Sequence, residues 1–270
     1  MSNFLFLVNV GDGIVSSVLI TKLVPNRRFT SSQYCDFKLA VYTQAESSII
    51  WEKIDEVKFD GNNNSQLKSS DYNLAIGQIA VVIPCGIHER LEKNSFRLPE
   101  PITRKVDTSP VSERATISFE RGDSFSSYQG DYPFQMTKAK GTFLCFDSLI
   151  FQPEKDVINK LVFINIFSQE LKEKNKFTLN MANAVSKENI KKQKYVHNSA
   201  AILNVEFKSD LSTVFYSKDS IGIPIFISFH KDLNSNLSVE HSHPPSEFFY
   251  GECRFAGQKE LKMNWLSVLP

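Results

Sequence analysis

Two halves of this chain carry similar short segments in the same order, and that ordering constrains the fold more than any other feature. L-F-L-V-N-V at 5–10 resembles L-V-F-I-N-I at 161–166. F-K-L-A-V-Y-T at 37–43 resembles F-T-L-N-M-A-N at 177–183, and I-S-F-E-R at 117–121 resembles I-S-F-H-K at 227–231. Gly141 followed by Phe146, and Gly251 followed by Phe255, form a fourth pair read as closing strands. One such match is cheap, because β segments draw on few residue types; four in one order point to a tandem duplication. A chain of 270 residues has room for two units of ordinary domain size.

The repeated segments are β-like: short, apolar or alternating, and separated by clusters of Ser, Asn, Asp and Gly. The chain holds 22 Phe against four Met and two Trp, which suits pleated surfaces better than helical ones. The expected architecture is all-β: two antiparallel β-sandwich modules, jelly-roll or immunoglobulin-like, over residues 1–152 and 153–270, divided near Pro153. Residues 156–174 read two ways. Val157, Leu161, Ile164 and Leu171 would share a helical face, yet Leu161 to Phe167 also reads as a buried strand. The repeat favours the strand. Asp60 to Tyr72 is read as an exposed loop. No alternation of strand and helix, no G-x-G-x-x-G and no P-loop occurs, so a nucleotide-binding α/β fold is not expected.

Charge and cysteine usage narrow the function classes. A net charge of +1 supplies no basic field for nucleic acid. Cys35, Cys85, Cys145 and Cys253 are far apart and form neither a disulfide framework nor a zinc ribbon. The opening M-S-N-F-L-F-L-V-N-V-G-D-G lacks a basic leader and reads as a first strand. No apolar run reaches the length of a membrane span, so the expected location is cytoplasmic.

The scarcest chemistry is gathered in Ile225 to Gly251, which holds three of the five histidines. Ile225 to Phe229 reads as a strand, Lys231 to Asn236 as a turn, and Leu237 to His243 as the return strand. On that strand His241 and His243 leave the same face, and His230 at the end of the facing strand is placed to approach one of them. His241-Ser242-His243-Pro244-Pro245-Ser246-Glu247 spells H-x-H-x-x-x-E and resembles the first metal motif of the cupins. The resemblance implies a divalent transition metal held by two imidazoles and a carboxylate. It covers seven residues. The motif's flanking glycines are replaced by Ser235 and Arg254, and no histidine follows Glu247. The residues themselves therefore define a local ligand set, His230, His241, His243 and Glu247, outside that family's barrel.

Three further groups carry chemistry. Tyr128, Tyr132 and Tyr250, with Tyr195, Phe248 and Phe249, suit a stacking platform for a sugar, or equally core packing. The lysine-rich runs 170–176 and 187–194 read as solvated faces flanking a loop. Cys85 and His88 put a thiol near an imidazole, without an identifiable relay residue. The function that fits best is a non-catalytic binding or interaction protein for a carbohydrate, peptide or protein ligand. The alternatives are a metal-dependent enzyme using the histidine cluster and a structural subunit, including a homo-oligomer, of a larger assembly.

Overall fold

The computed structural model describes residues 3–20, 37–58, 65–101, 116–129, 132–138, 141–146, 156–168, 170–171, 175–205, 212–233, 236–241 and 252–270. Among the described residues the regular elements are mostly strands, and they form two β-sandwich modules. The first comprises residues 1–121, 125–134 and 168–173, and the second 122–124, 135–167 and 174–270.

In the first module the strands are β1 (Asn3–Val8), β2 (Val15–Ile20), β3 (Phe37–Thr43), β4 (Trp51–Lys58), β5 (Ser65–Lys68), β6 (Ile79–Gly86), β7 (Asn94–Ser95), β8 (Thr116–Arg121), β9 (Ser124–Gln129) and β10 (Tyr132–Pro133). One sheet has the order β10-β1-β6-β3-β4-β7 and the other β5-β2-β8-β9, all antiparallel. The turn from β1 to β2 is made by Gly11-Asp12-Gly13, all three at positive φ, a conformation only glycine adopts freely. Val18, Leu67, Ile117 and Phe119 share one buried face of the second sheet, while Lys68 and Glu120 pair at 2.9 Å on the opposite face.

The second module contains β11 (Phe143–Phe146), β12 (Val157–Ile164), β13 (Lys176–Asn183), β14 (Asn189–Val196), β15 (Ala200–Val205), β16 (Thr213–Ser217), β17 (Ile223–His230) and β18 (Leu237–His241). Its sheets have the orders β11-β16-β13-β14 and β15-β12-β17-β18. Their interior joins Phe143, Phe177, Leu179, Met181 and Phe215 of one sheet to Leu161, Phe163, Leu203 and Phe226 of the other. The second face of β12 and β17 is also buried and apolar, at Val162, Ile164, Ile225, Ile227 and Phe229. That accounts for the unbroken apolar run of Leu161 to Ile164: a strand buried on both faces does not alternate.

The helix α1 (Glu252–Val268) follows β18. Leu266 and Leu269 lie with Ala182, Val214 and Tyr216 on the outer face of the β13–β16 sheet, and Trp265 stacks edge-on with Phe146 at 5.1 Å.

The eight strands of the second module repeat a plan present in the first. Taking β1 to β6, β8 and β9 as positions one to eight, both modules have one sheet ordered one-six-three-four and another ordered five-two-seven-eight. The finer geometry coincides as well. The β3–β4 ladder slips between Val41 and Tyr42, leaving Ile54 as the extra residue, and the β13–β14 ladder slips between Met181 and Ala182, leaving Ile190. Both bulged residues are isoleucines, and both are exposed. In the first module β7 and β10 are added at the two ends of the larger sheet.

Several sequence expectations change. The match of 5–10 to 161–166 joins strands that hold different positions, because the first strand of the second module is β11. β11 pairs with β16, which moves the division between modules from 152/153 to before Gln135. The 117–121 and 227–231 segments do occupy equivalent strands, but one residue out of step. Ile117 and Phe119 face the first interior, whereas Phe226 and Ser228 face the second. A one-residue offset reverses every face, so side-chain type alone misaligns them. The expected closing strand after Gly251 is α1, whose Glu, Lys, Gln, Leu and Met content favours helix. The loop expected at 60–72 contains β5, which buries Leu67 while Gln66 and Lys68 make polar contacts with β2 and β8.

Candidate binding edge

The histidine hairpin forms as expected, and its register decides which groups can meet. β17 and β18 pair antiparallel with Phe229 opposite Leu237 and Ile225 opposite His241. His230 is therefore at the turn end, where its Nδ1 accepts from the Asp232 amide at 3.2 Å. His241 stands at the other end, five residues away along β17, or about 16 Å at the usual rise per residue. Two imidazoles so separated cannot share one ion. His243, Glu247 and Tyr250 lie outside the described residues. Among the described residues no three His, Cys, Asp or Glu side chains gather as a metal group.

Phe248 and Phe249 also lie outside the described residues, and the described tyrosine candidates are packing groups. Tyr132 is fully buried and Tyr128 is 7% exposed, so neither ring offers a face for a sugar. Tyr195 packs beside the second interior and donates its hydroxyl to the Ile202 carbonyl at 2.9 Å. Burial pushes its phenol up to about 12. Cys85 is fully buried and His88 is exposed. Burial, with the Glu89 carboxylate second, pushes the Cys85 thiol up to about 12, so it is not a nucleophile at neutral pH.

The feature that stands out is the edge strand β14. It has eight residues, N-I-K-K-Q-K-Y-V, and the six from Asn189 to Lys194 are exposed. Its inner edge pairs with β13, and no described strand pairs with its outer edge. Lys191 is opposite Met181 and therefore on the interior side, while Lys192 and Lys194, opposite Asn180 and Thr178, project from the other side. None of the three ammonium groups has an ion-pair partner among the described residues. At the hairpin tip Lys187 lies over the Trp265 ring at 3.3 Å, fixing the end of the strand against α1.

The equivalent edge of the first module is covered at its start, before the bulge. β7 pairs antiparallel with β4, Ser95 opposite Trp51 and Asn94 opposite Glu52. The segment leading into β7 is held by its backbone carbonyls. That of Glu89 accepts from Lys38 Nζ at 2.6 Å, that of Glu92 from the Tyr42 hydroxyl at 3.0 Å, and that of Lys93 from the Lys53 amide at 2.7 Å. The bulges align Asp55 and Glu56 of β4 with Lys191 and Lys192 of β14, so the charge is reversed at equivalent positions. A signal for this was present in the sequence. E-K-I-D-E-V-K at 52–58 and E-N-I-K-K-Q-K at 188–194 share Glu, Ile and Lys at the same spacing. The lysine run masked it, because such runs ordinarily mark loops and solvated faces.

Comparison with protein-family models, with curated proteins and with solved structures finds no match. Among the described residues no helix is long and apolar enough to cross a membrane.

Proposed function

We propose that this chain is a non-catalytic interaction protein, built by tandem duplication of one eight-stranded sandwich, which engages a peptide or protein partner through its second module. The duplication rests on the shared strand order and the coincident bulges at Ile54 and Ile190. Unrelated sandwiches have no reason to place the same irregularity at the same rung.

The observation that carries the binding reading is the contrast between the two equivalent edges. Folded proteins keep exposed edges short, cover them, or charge them. The first module covers the start of this edge, at Trp51 and Glu52, with β7. The second leaves eight residues extended and open among the described residues, longer than any other edge strand described. A glycan reading draws less support, because Tyr128 and Tyr132 are interior groups.

Unbiased selection tests the proposal. Peptides displayed on phage are panned against the immobilised chain, and the recovered ligands are located by amide hydrogen exchange. Ligands that protect β14 are expected. Selection that recovers no saturable ligand, or only ligands that protect other strands, overturns it.

A further inference from the structure

We infer that the occupant of the β14 edge is an acidic, extended segment of a partner protein, which adds to the sheet as an antiparallel strand outside β14. The inference rests on the interaction role proposed above and names the partner's chemistry. Two independent observations carry it.

The first is the module's own precedent. On the equivalent edge, at Trp51 and Glu52 just before the bulge, the chain lays β7 against β4, so this sheet plan accepts a short antiparallel strand on that side. The connection that supplies β7 runs from β6 to β8, between Gly86 and Thr116. Its counterpart from β16 to β17 spans only residues 218–222, too few to reach back across the sheet and form a strand. Among the described residues, the second module therefore has the receiving edge without a segment that fills it.

The second observation is charge. From Lys176 to Val205 the chain carries five lysines, Lys176, Lys187, Lys191, Lys192 and Lys194, against one acid, Glu188. On β14 the lysines project from both faces. An added strand has its side chains beside those of the strand it joins, so each of its faces would meet ammonium groups. Neutral and basic strands are disfavoured, and so is a second copy of β14, which would set lysine against lysine. A strand with carboxylates on both faces is admitted. The same lysines thus exclude wrong edges and select the right one.

The partner's backbone would supply the ladder hydrogen bonds and its carboxylates the selectivity, as in other strand-addition complexes. The bulge at Ile190 twists the strand locally, which limits the straight run available for pairing to Lys191 to Val196. A segment of about six residues fills that run, the length at which alternate side chains still report sequence.

The test uses the full chain and four fluorescein-labelled ten-residue peptides, read by anisotropy. One alternates paired Glu with paired Val, which sets carboxylates on both faces of an extended strand; the second replaces Glu by Lys; the third is the acidic peptide with every amide N-methylated, which blocks both edges; the fourth is all Glu. The acidic alternating peptide is expected to bind saturably, to protect β14 amides from exchange, and to weaken as salt rises. Binding should fall at least about tenfold in the triple variant Lys191→Glu, Lys192→Glu, Lys194→Glu, the scale for reversing several rim charges. Lys192→Glu alone, checked for an unchanged melting curve, guards against a folding defect and should give a smaller loss. Equal binding of the N-methylated peptide, or all-Glu binding that leaves the β14 amides unprotected, would show simple anion attraction and overturn strand addition. Equal binding of the lysine peptide overturns the acidic preference. Absence of binding by the alternating peptide, when phage selection still yields β14 ligands, rejects the acidic partner and leaves the interaction role standing.

Discussion

Lys38 shows how one side chain ties the first module's covering segment to its sheet. Its side chain is 7% exposed, and its ammonium is shared between the Glu56 carboxylate at 3.0 Å and the Glu89 carbonyl at 2.6 Å. Glu56 also accepts from Lys53 at 2.8 Å. These hydrogen bonds to Lys53 and Lys38 hold the Glu56 carboxyl below its ordinary value of 4.5. A carboxyl shifted downward lends stability above its ordinary value and withdraws it as the pH falls through its folded value. Glu56→Gln should therefore lower stability at neutral pH by about 1–2 kcal/mol, a figure reduced for the partial exposure of the carboxylate. Urea titrations of both proteins should converge as the pH drops below 4.5. A gap that stays constant into acid would show that the loss is not electrostatic.

At the scale of elements, the start of β17 is set by contact and not by hydrogen bonding alone. Ile223 is opposite Ile164 on β12, and Gly222 precedes it where a Cβ would stand 2.6 Å from the Phe163 ring and collide with the Ile164 carbonyl oxygen. Backbone and a buried ring cannot yield cheaply. Gly222→Ala should cost about 1–3 kcal/mol, the range for overpacking a filled interior. Thermal melting followed by far-ultraviolet circular dichroism measures it; a shift within error would mean that β12 and β17 can separate without penalty. The close approach is reinforced next door by Asn165, whose amide donates to Ser220 Oγ at 3.0 Å and to the Ile221 carbonyl at 2.9 Å. Buried polar groups satisfied in this way fix one arrangement of the connection.

Across the whole molecule, a plan common to both modules makes β7 an addition and not a structural necessity. The second module folds the same eight positions without a strand at that place among its described residues. Asn94→Pro with Ser95→Pro removes the ladder donors of β7 and disfavours pairing with β4. The double variant should keep its β-sheet spectrum and lose about 1 kcal/mol, the scale of one or two ladder hydrogen bonds. Faster exchange of the outer amides of β4 should accompany that loss. Collapse of the sheet signal would show that β7 is integral and that the common plan has been misjudged.

The amino-acid sequence by itself determined the class of the fold and most of the strands, because periodicity and turn residues are local. Phe37 to Thr43 alternates and is β3 from end to end, and Gly11-Asp12-Gly13 makes the turn that its glycines allow. Order along the chain also matched strands that hold equivalent positions in the two modules, β3 with β13 and β8 with β17. The tertiary structure decided what pairing alone can decide. Strand neighbours gave β11 to the second module, and register separated His230 from His241 by the length of a strand. It also turned a lysine run into a strand with no described neighbour on its outer side, since exposure on both faces follows from a strand's place in its sheet. A strand's residues specify its two faces; which strand lies beside it is fixed by the rest of the chain.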